Sequence, residues 1–163
     1  MAAPAHLDIN KLNEMVGTFH KESDRGAAIL AGSFLEHYLG LYLRSLTVDD
    51  KIAGKLFDGM GPLATFSQRI AIAYAFGFID KRQHSDLELI RKIRNYFAHH
   101  PIQGTFQAEE VETKAVMLST YGDSPSGYKA DHARQVYLFA CGVLCGNFET
   151  AMRRYDNTTQ KMG

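Results

Sequence analysis

Four stretches of this chain carry apolar residues at intervals of three and four, and no stretch alternates apolar and polar residues as a half-buried strand would. That periodicity predicts a helical fold before any single residue is considered. Residues 8–19 place Ile9, Leu12, Met15, Val16 and Phe19 on one helical face, with Asp8 as the N-cap. Residues 22–46 place Leu30, Phe34, Tyr38 (or Leu41) and Leu46 on one face, widened by Ala27, Ala31 and Leu35. Glu22, Ser23 and Asp24 open this helix, where acidic groups suit the dipole and Ser23 or Asp24 can cap. A run from about Ser85 to His99 sets Leu87, Ile90, Ile93 and Phe97 inward and stops before Pro101. The last long helix, from about Ala130 to Arg154, carries Val136, Phe139, Val143 with Ala140 and Leu144, and Phe148.

Between these, the segment from Lys51 to Leu63 is punctuated by Gly54, Gly59, Gly61 and Pro62 and reads as a turn, after which Thr65 or Ser67 can cap a new helix. Residues 66–79 contain an apolar run, Ile70 to Ile79, too long for an ordinary strand, which reads as a core helix. Residues 102–128 are left open, because VETKAVML suits a helical turn or a strand, while GDSPSGY is a loop. The expected class is therefore all-α, an irregular bundle of five to six helices. With 163 residues and 45% hydrophobic content, one domain over 1–154 is expected, followed by a frayed tail over 155–163.

Charge narrows the function classes. Eighteen basic side chains balance eighteen acidic ones, so the chain lacks the positive field that sequence-independent nucleic-acid binding needs. No charged-then-apolar leader and no apolar stretch of membrane-spanning length occurs, which predicts a cytoplasmic protein without membrane contact. Cys141 and Cys145 stand one helical turn apart, too far for an unstrained disulfide, and read as reduced thiols filling core space. His6, His20, His37, His84 and His132 are scattered without a ligand spacing, and Gly59 and Gly61 lack the following Lys-Ser/Thr of a phosphate loop. No metal and no cofactor is expected. Apolar faces wider than one small bundle covers, with no net charge to oppose association, predict a homodimer.

Three segments, ESDRGAAILAGSFLE at 22–36, LFDGMGPLATFSQRIAIAYAFGFI at 56–79 and DLELIRKIRNYFAH at 86–99, together resemble the mannitol operon repressor family. The resemblance implies an all-helical fold, a role as a negative regulator of sugar-alcohol uptake genes in bacteria, and no helix-turn-helix. In agreement, no short helix pair with a polar, basic second helix can be found, so a protein partner is expected and tight sequence-specific binding to duplex DNA is not.

The third segment is also similar to the HEPN domain, whose nuclease members carry an Arg followed after four to six residues by a His. Here Arg94, Asn95 and His99 match, and the resemblance implies a metal-independent ribonuclease as the alternative function, with RNA as substrate. An imidazole can take the proton from a ribose hydroxyl while a guanidinium holds the phosphate. On one straight helix the two residues lie roughly 140° apart, so that chemistry needs a distorted helix end or a partner protomer. The competing expectation is that His99 and His100 cap the helix C-terminus.

Five further residues, Asp24, Arg25, Arg69, Asp86 and Arg91, are read as structural ion pairs or as a binding site. Arg25, on a helix about to be enclosed, needs a carboxylate, for which Asp86 or Glu88 are candidates across the bundle. Arg69 opens the apolar run and poses the same question. Glu88, Arg91, Lys92, Arg94 and Asn95 form a charged face, either solvated and internally paired or able to hold an anion.

Overall fold

Helix 2, α2 (Asp24–Ser45), is the axis around which the chain is built. In this computed structural model, which describes residues 9–123 and 132–161, it packs most extensively on α7 (His132–Lys161), and also on α5 (Lys81–His99), α1 (Ile9–Lys21) and α4 (Phe66–Ala75). Two short helices complete the domain: α3 (Asp50–Phe57), and α6 (Glu109–Ala115), which bridges α5 and α7. The described residues thus form one all-α domain of seven helices without a strand, against the five to six expected. Asp8 and most of the expected loop at 122–128 lie outside the described residues.

The two additional helices have local causes. Asp49 accepts from the backbone N–H of Ile52 at 2.8 Å and starts α3 inside the segment read as a turn. The real turn is shorter. It follows Phe57, where Gly59 has φ +58° and a Cβ on Gly61 would stand 2.3 Å from the carbonyl of Leu56. VETKAVML, left between a helical turn and a strand, is mostly α6.

Thr65 caps α4 in a reciprocal box with Gln68. Asp80 caps α5 in the same way with Gln83, which sets the start of that helix before the expected Ser85. Ser23 caps α2 by accepting from Gly26 N–H at 3.1 Å. At the other end of the chain α7 continues to Lys161, past the expected stop at Arg154.

The inward faces agree with the sequence on α5, where Leu87, Ile90, Ile93 and Phe97 are all fully buried. On α2 the expected Ala27, Ala31, Leu35 and Tyr38 are buried, together with Ala28, Gly32, Leu39 and Leu43, while Phe34 and Leu46 are half-buried and Leu30 is 43% exposed, so the face centres on the small residues and not on Leu30. Tyr137 of α7 occupies a narrow seam there and donates to the carbonyl of Ala28 at 2.7 Å. On α7 the buried set is Val136, Tyr137, Leu138, Ala140, Cys141, Leu144, Cys145, Phe148 and Met152, with Phe139 and Val143 only partly covered.

Cys141 and Cys145 are free and buried, as expected. Burial pushes the Cys145 thiol up to about 12 and raises that of Cys141 well above its ordinary value, so both are neutral, unreactive core groups.

Candidate functional site

The run from Ile70 to Ile79, expected to be core, is where apolar surface meets solvent. Helix α4 ends at Ala75, and Gly77, with φ +71°, turns the chain so that Phe78 N–H and Ile79 N–H both reach the carbonyl of Ala73. Only Ile70, Ala73 and Ile79 of this run are buried. Tyr74 is 42%, Phe76 68% and Phe78 40% exposed. Beside them, between the end of α2 and α3, opens a groove of about 420 Å³ walled by Leu43, Leu46, Leu56, Phe57, Ile72 and Phe78.

This face is held in place. Tyr42 donates to the carbonyl of Phe78 at 3.1 Å, and the rings of Phe76 and Phe78 lie 6.1 Å apart and nearly parallel. Arg44 pairs with Asp58 across the turn and lies 5.0 Å from the centre of the Phe57 ring. A fixed, apolar, solvent-facing surface of this kind is what a binding surface requires.

The charged residues singled out in the sequence are mostly drawn into the scaffold. Asp24 pairs with Arg134 of α7 at 2.7 Å and accepts from Phe106 N–H at 3.0 Å and Thr105 Oγ1 at 3.2 Å. Arg134 also donates to the carbonyls of Phe19, His20 and Glu22, closing the end of α1. Sequence reading missed Arg134, because its partners lie more than a hundred residues away and no local pattern marks them.

Arg25 is not paired with Asp86 or Glu88. It is exposed and donates to the carbonyl of Phe97 at 3.3 Å. Asp86, 4% exposed, instead accepts from Ser119 N–H at 2.9 Å and from the Ser119 hydroxyl, tying the chain after α6 to α5.

Arg69 donates to the carbonyls of Leu63 at 2.9 Å and Glu36 at 3.1 Å, in a notch left by Gly40. Burial lowers its pKa from the ordinary arginine value, with Glu36 opposing the shift. Arg91 pairs with Glu88 on its own helix at 2.8 Å.

Arg94 pairs with Glu36 of α2 at 2.9 Å and lies over the Gly32 notch. Asn95 is half-buried, and His99 is exposed at the end of a helix that stays regular to that residue. No distorted end brings Arg94 and His99 together within one protomer. The cap is His100: its backbone N–H reaches the carbonyl of Tyr96 at 3.0 Å, its Nδ1 lies 2.8 Å from the same oxygen, and its ring stacks on Tyr96 at 4.2 Å. His99→Ala should therefore change stability by less than about 0.5 kcal/mol, as an exposed substitution does. His100→Ala should cost about 1 kcal/mol, the scale of one net hydrogen bond at a helix end. Denaturant unfolding of the two variants separates them, and equal losses would contradict the assignment of the cap.

Residues 33–135, which contain the groove, match the family described as Mannitol repressor. Among solved structures the chain is similar to one described as a possible transcriptional regulator, YggD from Shigella flexneri. That likeness has a TM-score of 0.66 and 16% identity over 91% of this chain and 98% of the other. A comparison with curated proteins finds no match. Among the described residues no helix is long and apolar enough to cross a membrane, and no group of three or more candidate metal ligands occurs.

Proposed function

We propose that this chain, which belongs to the mannitol repressor family, is a regulator of transcription that acts through a protein partner seated on the Phe76 and Phe78 face and not by reading DNA itself. The observation that carries the reading is that face: two fixed phenylalanines in solvent beside an apolar groove, on the part of the chain that defines the family. An apolar segment of the partner, laid into the groove, would bury Phe78 and Ile72 and cover Phe76.

The charge distribution supports the same reading. Arg44, Arg91, Arg94 and Arg134 each pair with a carboxylate of this chain, and Arg69 is spent on backbone carbonyls. Few guanidinium groups remain to neutralise phosphates, and the net charge is zero. The purified protein should therefore bind a promoter fragment and a random duplex alike, and no tighter than about micromolar, at roughly 0.15 M salt. Nanomolar binding to one promoter, with random duplex a thousandfold weaker, would sink the reading, and Arg91, Lys92, Arg153 and Arg154 would then be the residues to replace.

The dimer belongs to the proposal as well. Light scattering at tens of micromolar should give twice the 18.2 kDa chain mass. A monomer mass would remove the dimer from the proposal, and with it the geometry that a paired Arg94 and His99 would need. Wild-type protein that cuts single-stranded RNA in EDTA, paired with a folded but inert His99→Ala variant, would replace regulation by ribonuclease chemistry.

A further inference from the structure

The apolar surface beside Phe76 and Phe78 continues on the other side of the groove. Val48 and Met60 are almost wholly exposed and Ile52 is half-exposed, so apolar side chains extend from the end of α4 across to α3 and the turn after it. Thr47 is the one polar side chain in the lining, and its hydroxyl already donates to the carbonyl of Arg44 at 2.7 Å. An occupant finds almost no hydrogen-bonding groups there. A strand laid into the groove would bury unpaired N–H and carbonyl groups, and among the described residues there is no sheet edge for it to join. A helix satisfies its own backbone and presents apolar side chains at every third or fourth residue, which is what such a surface accommodates.

Charge is uneven around this surface. The chain as a whole is neutral, but between Arg44 and Arg82, the segment that builds the groove, six Lys and Arg stand against four Asp and no Glu. Three of the four carboxylates are committed: Asp49 and Asp80 cap α3 and α5, and Asp58 pairs with Arg44. Arg69 and Arg82 are turned to backbone carbonyls. Lys51, Lys55 and Lys81 are exposed, and none of them has a bonding partner among the described residues. Lys51 and Lys55 stand one turn apart on α3 beside Ile52, and Lys81 opens α5 three residues after Phe78. Cations without a partner thus border the apolar surface on both sides, opposed by Asp50 alone.

We infer that the segment docking on this face is an amphipathic helix whose apolar stripe is flanked by acidic residues, which Lys51, Lys55 and Lys81 select by charge. A nucleic-acid backbone would suit the lysines but carries no apolar stripe to fill the groove. The inference deepens the partner-docking reading and rests on it.

Selection from a library of peptides of about sixteen residues tests it, with Leu or Phe fixed at helical spacing, Glu, Gln or Lys at equal odds elsewhere, and the full chain as bait. Peptides retained by the wild type and not by the Phe76→Asp and Phe78→Asp double variant should favour Glu over Lys about threefold or more. In solution, replacing every Glu of the tightest one by Gln should weaken binding about tenfold, and most of that difference should vanish between roughly 0.05 and 0.5 M salt. Lys51→Glu, Lys55→Glu and Lys81→Glu together should weaken the Glu peptide about tenfold or more. The same variant should bind the Lys counterpart of that peptide better than the wild type does, a gain that a misfolded chain could not show. Retained peptides without a preference for Glu would overturn the inference and leave the docking reading standing. If no peptide tells the wild type from the phenylalanine variant, the docking reading falls and the inference with it. Tighter binding of an oligothymidylate than of any peptide, or groove amide shifts on simple dilution of the chain, would give the face to a nucleic acid or to a second copy and overturn the inference as well.

Discussion

Arg134→Ala is expected to cost about 3 kcal/mol of unfolding free energy, more than the loss of any exposed ion pair in the molecule. Its guanidinium, 11% exposed, joins three parts of the chain at once: the carboxylate of Asp24 at the start of α2, the last carbonyls of α1, and its own position in the first turn of α7. Removing it leaves Asp24 without its cation and takes a donor from three carbonyls, of which that of Phe19 keeps the Glu22 N–H at 3.3 Å, and both losses add to the same side. Arg134→Lys should fall between, since an ammonium keeps the charge but cannot span the carboxylate and the carbonyls as a planar fork does. By comparison Arg153→Ala, which breaks a pair with Glu149 whose arginine is 53% exposed, should cost less than about 1 kcal/mol. Urea unfolding of the three variants provides the check. A loss below about 1 kcal/mol for Arg134→Ala would show that the cluster is incidental to the fold.

The same residue shows where sequence reading stops. Helix α5 was legible because it has two sides, apolar residues every third or fourth position and charged ones between, and the four residues read as inward are all fully buried. The run at 70–79 has apolar residues on every side, so periodicity could not say which of them faced the core. Length and hydrophobicity suggested that all did, yet the turn at Gly77 put Phe76 and Phe78 into solvent. On α2 Leu30 was misplaced because large side chains were given more weight than small ones, whereas the close approach of α7 is made at Gly32 and Ala28, where the Tyr137 hydroxyl sits. Helix α3 was hidden by glycines, most of which lie beyond its end.

For the site residues the distinction is between type and partner. Arg25 and Arg69 were read as groups that an enclosed helix must pair with a carboxylate, and in the fold each donates to backbone carbonyls. The partners were not readable: Asp86 bonds Ser119, in the stretch whose structure was left open, and Asp24 bonds Arg134, at the far end of the chain. Arg94 was singled out through its spacing to His99, a relation along the chain. In the folded domain its partner is Glu36, one helix away, and its bed is the Gly32 notch. A sequence shows which groups need partners, but pairings across the bundle depend on helix crossings that no local pattern encodes.

The central claim, regulation through a partner on the Phe76 and Phe78 face, is tested most directly by the transcripts of cells carrying variants at the native locus. Phe76→Asp together with Phe78→Asp replaces two exposed rings with charges, so the purified variant should stay folded with little change in stability. Two desolvated aspartates in the middle of an apolar interface would each cost several kcal/mol of binding, enough to abolish a complex of ordinary affinity. Cells with this double variant should show the same set of raised transcripts as cells lacking the gene. Cells with Arg91, Lys92, Arg153 and Arg154 all replaced by alanine should match the wild type. A Phe76 and Phe78 variant with wild-type transcripts, alongside a four-cation variant that reproduces the deletion, would contradict the account and place regulation on the basic residues.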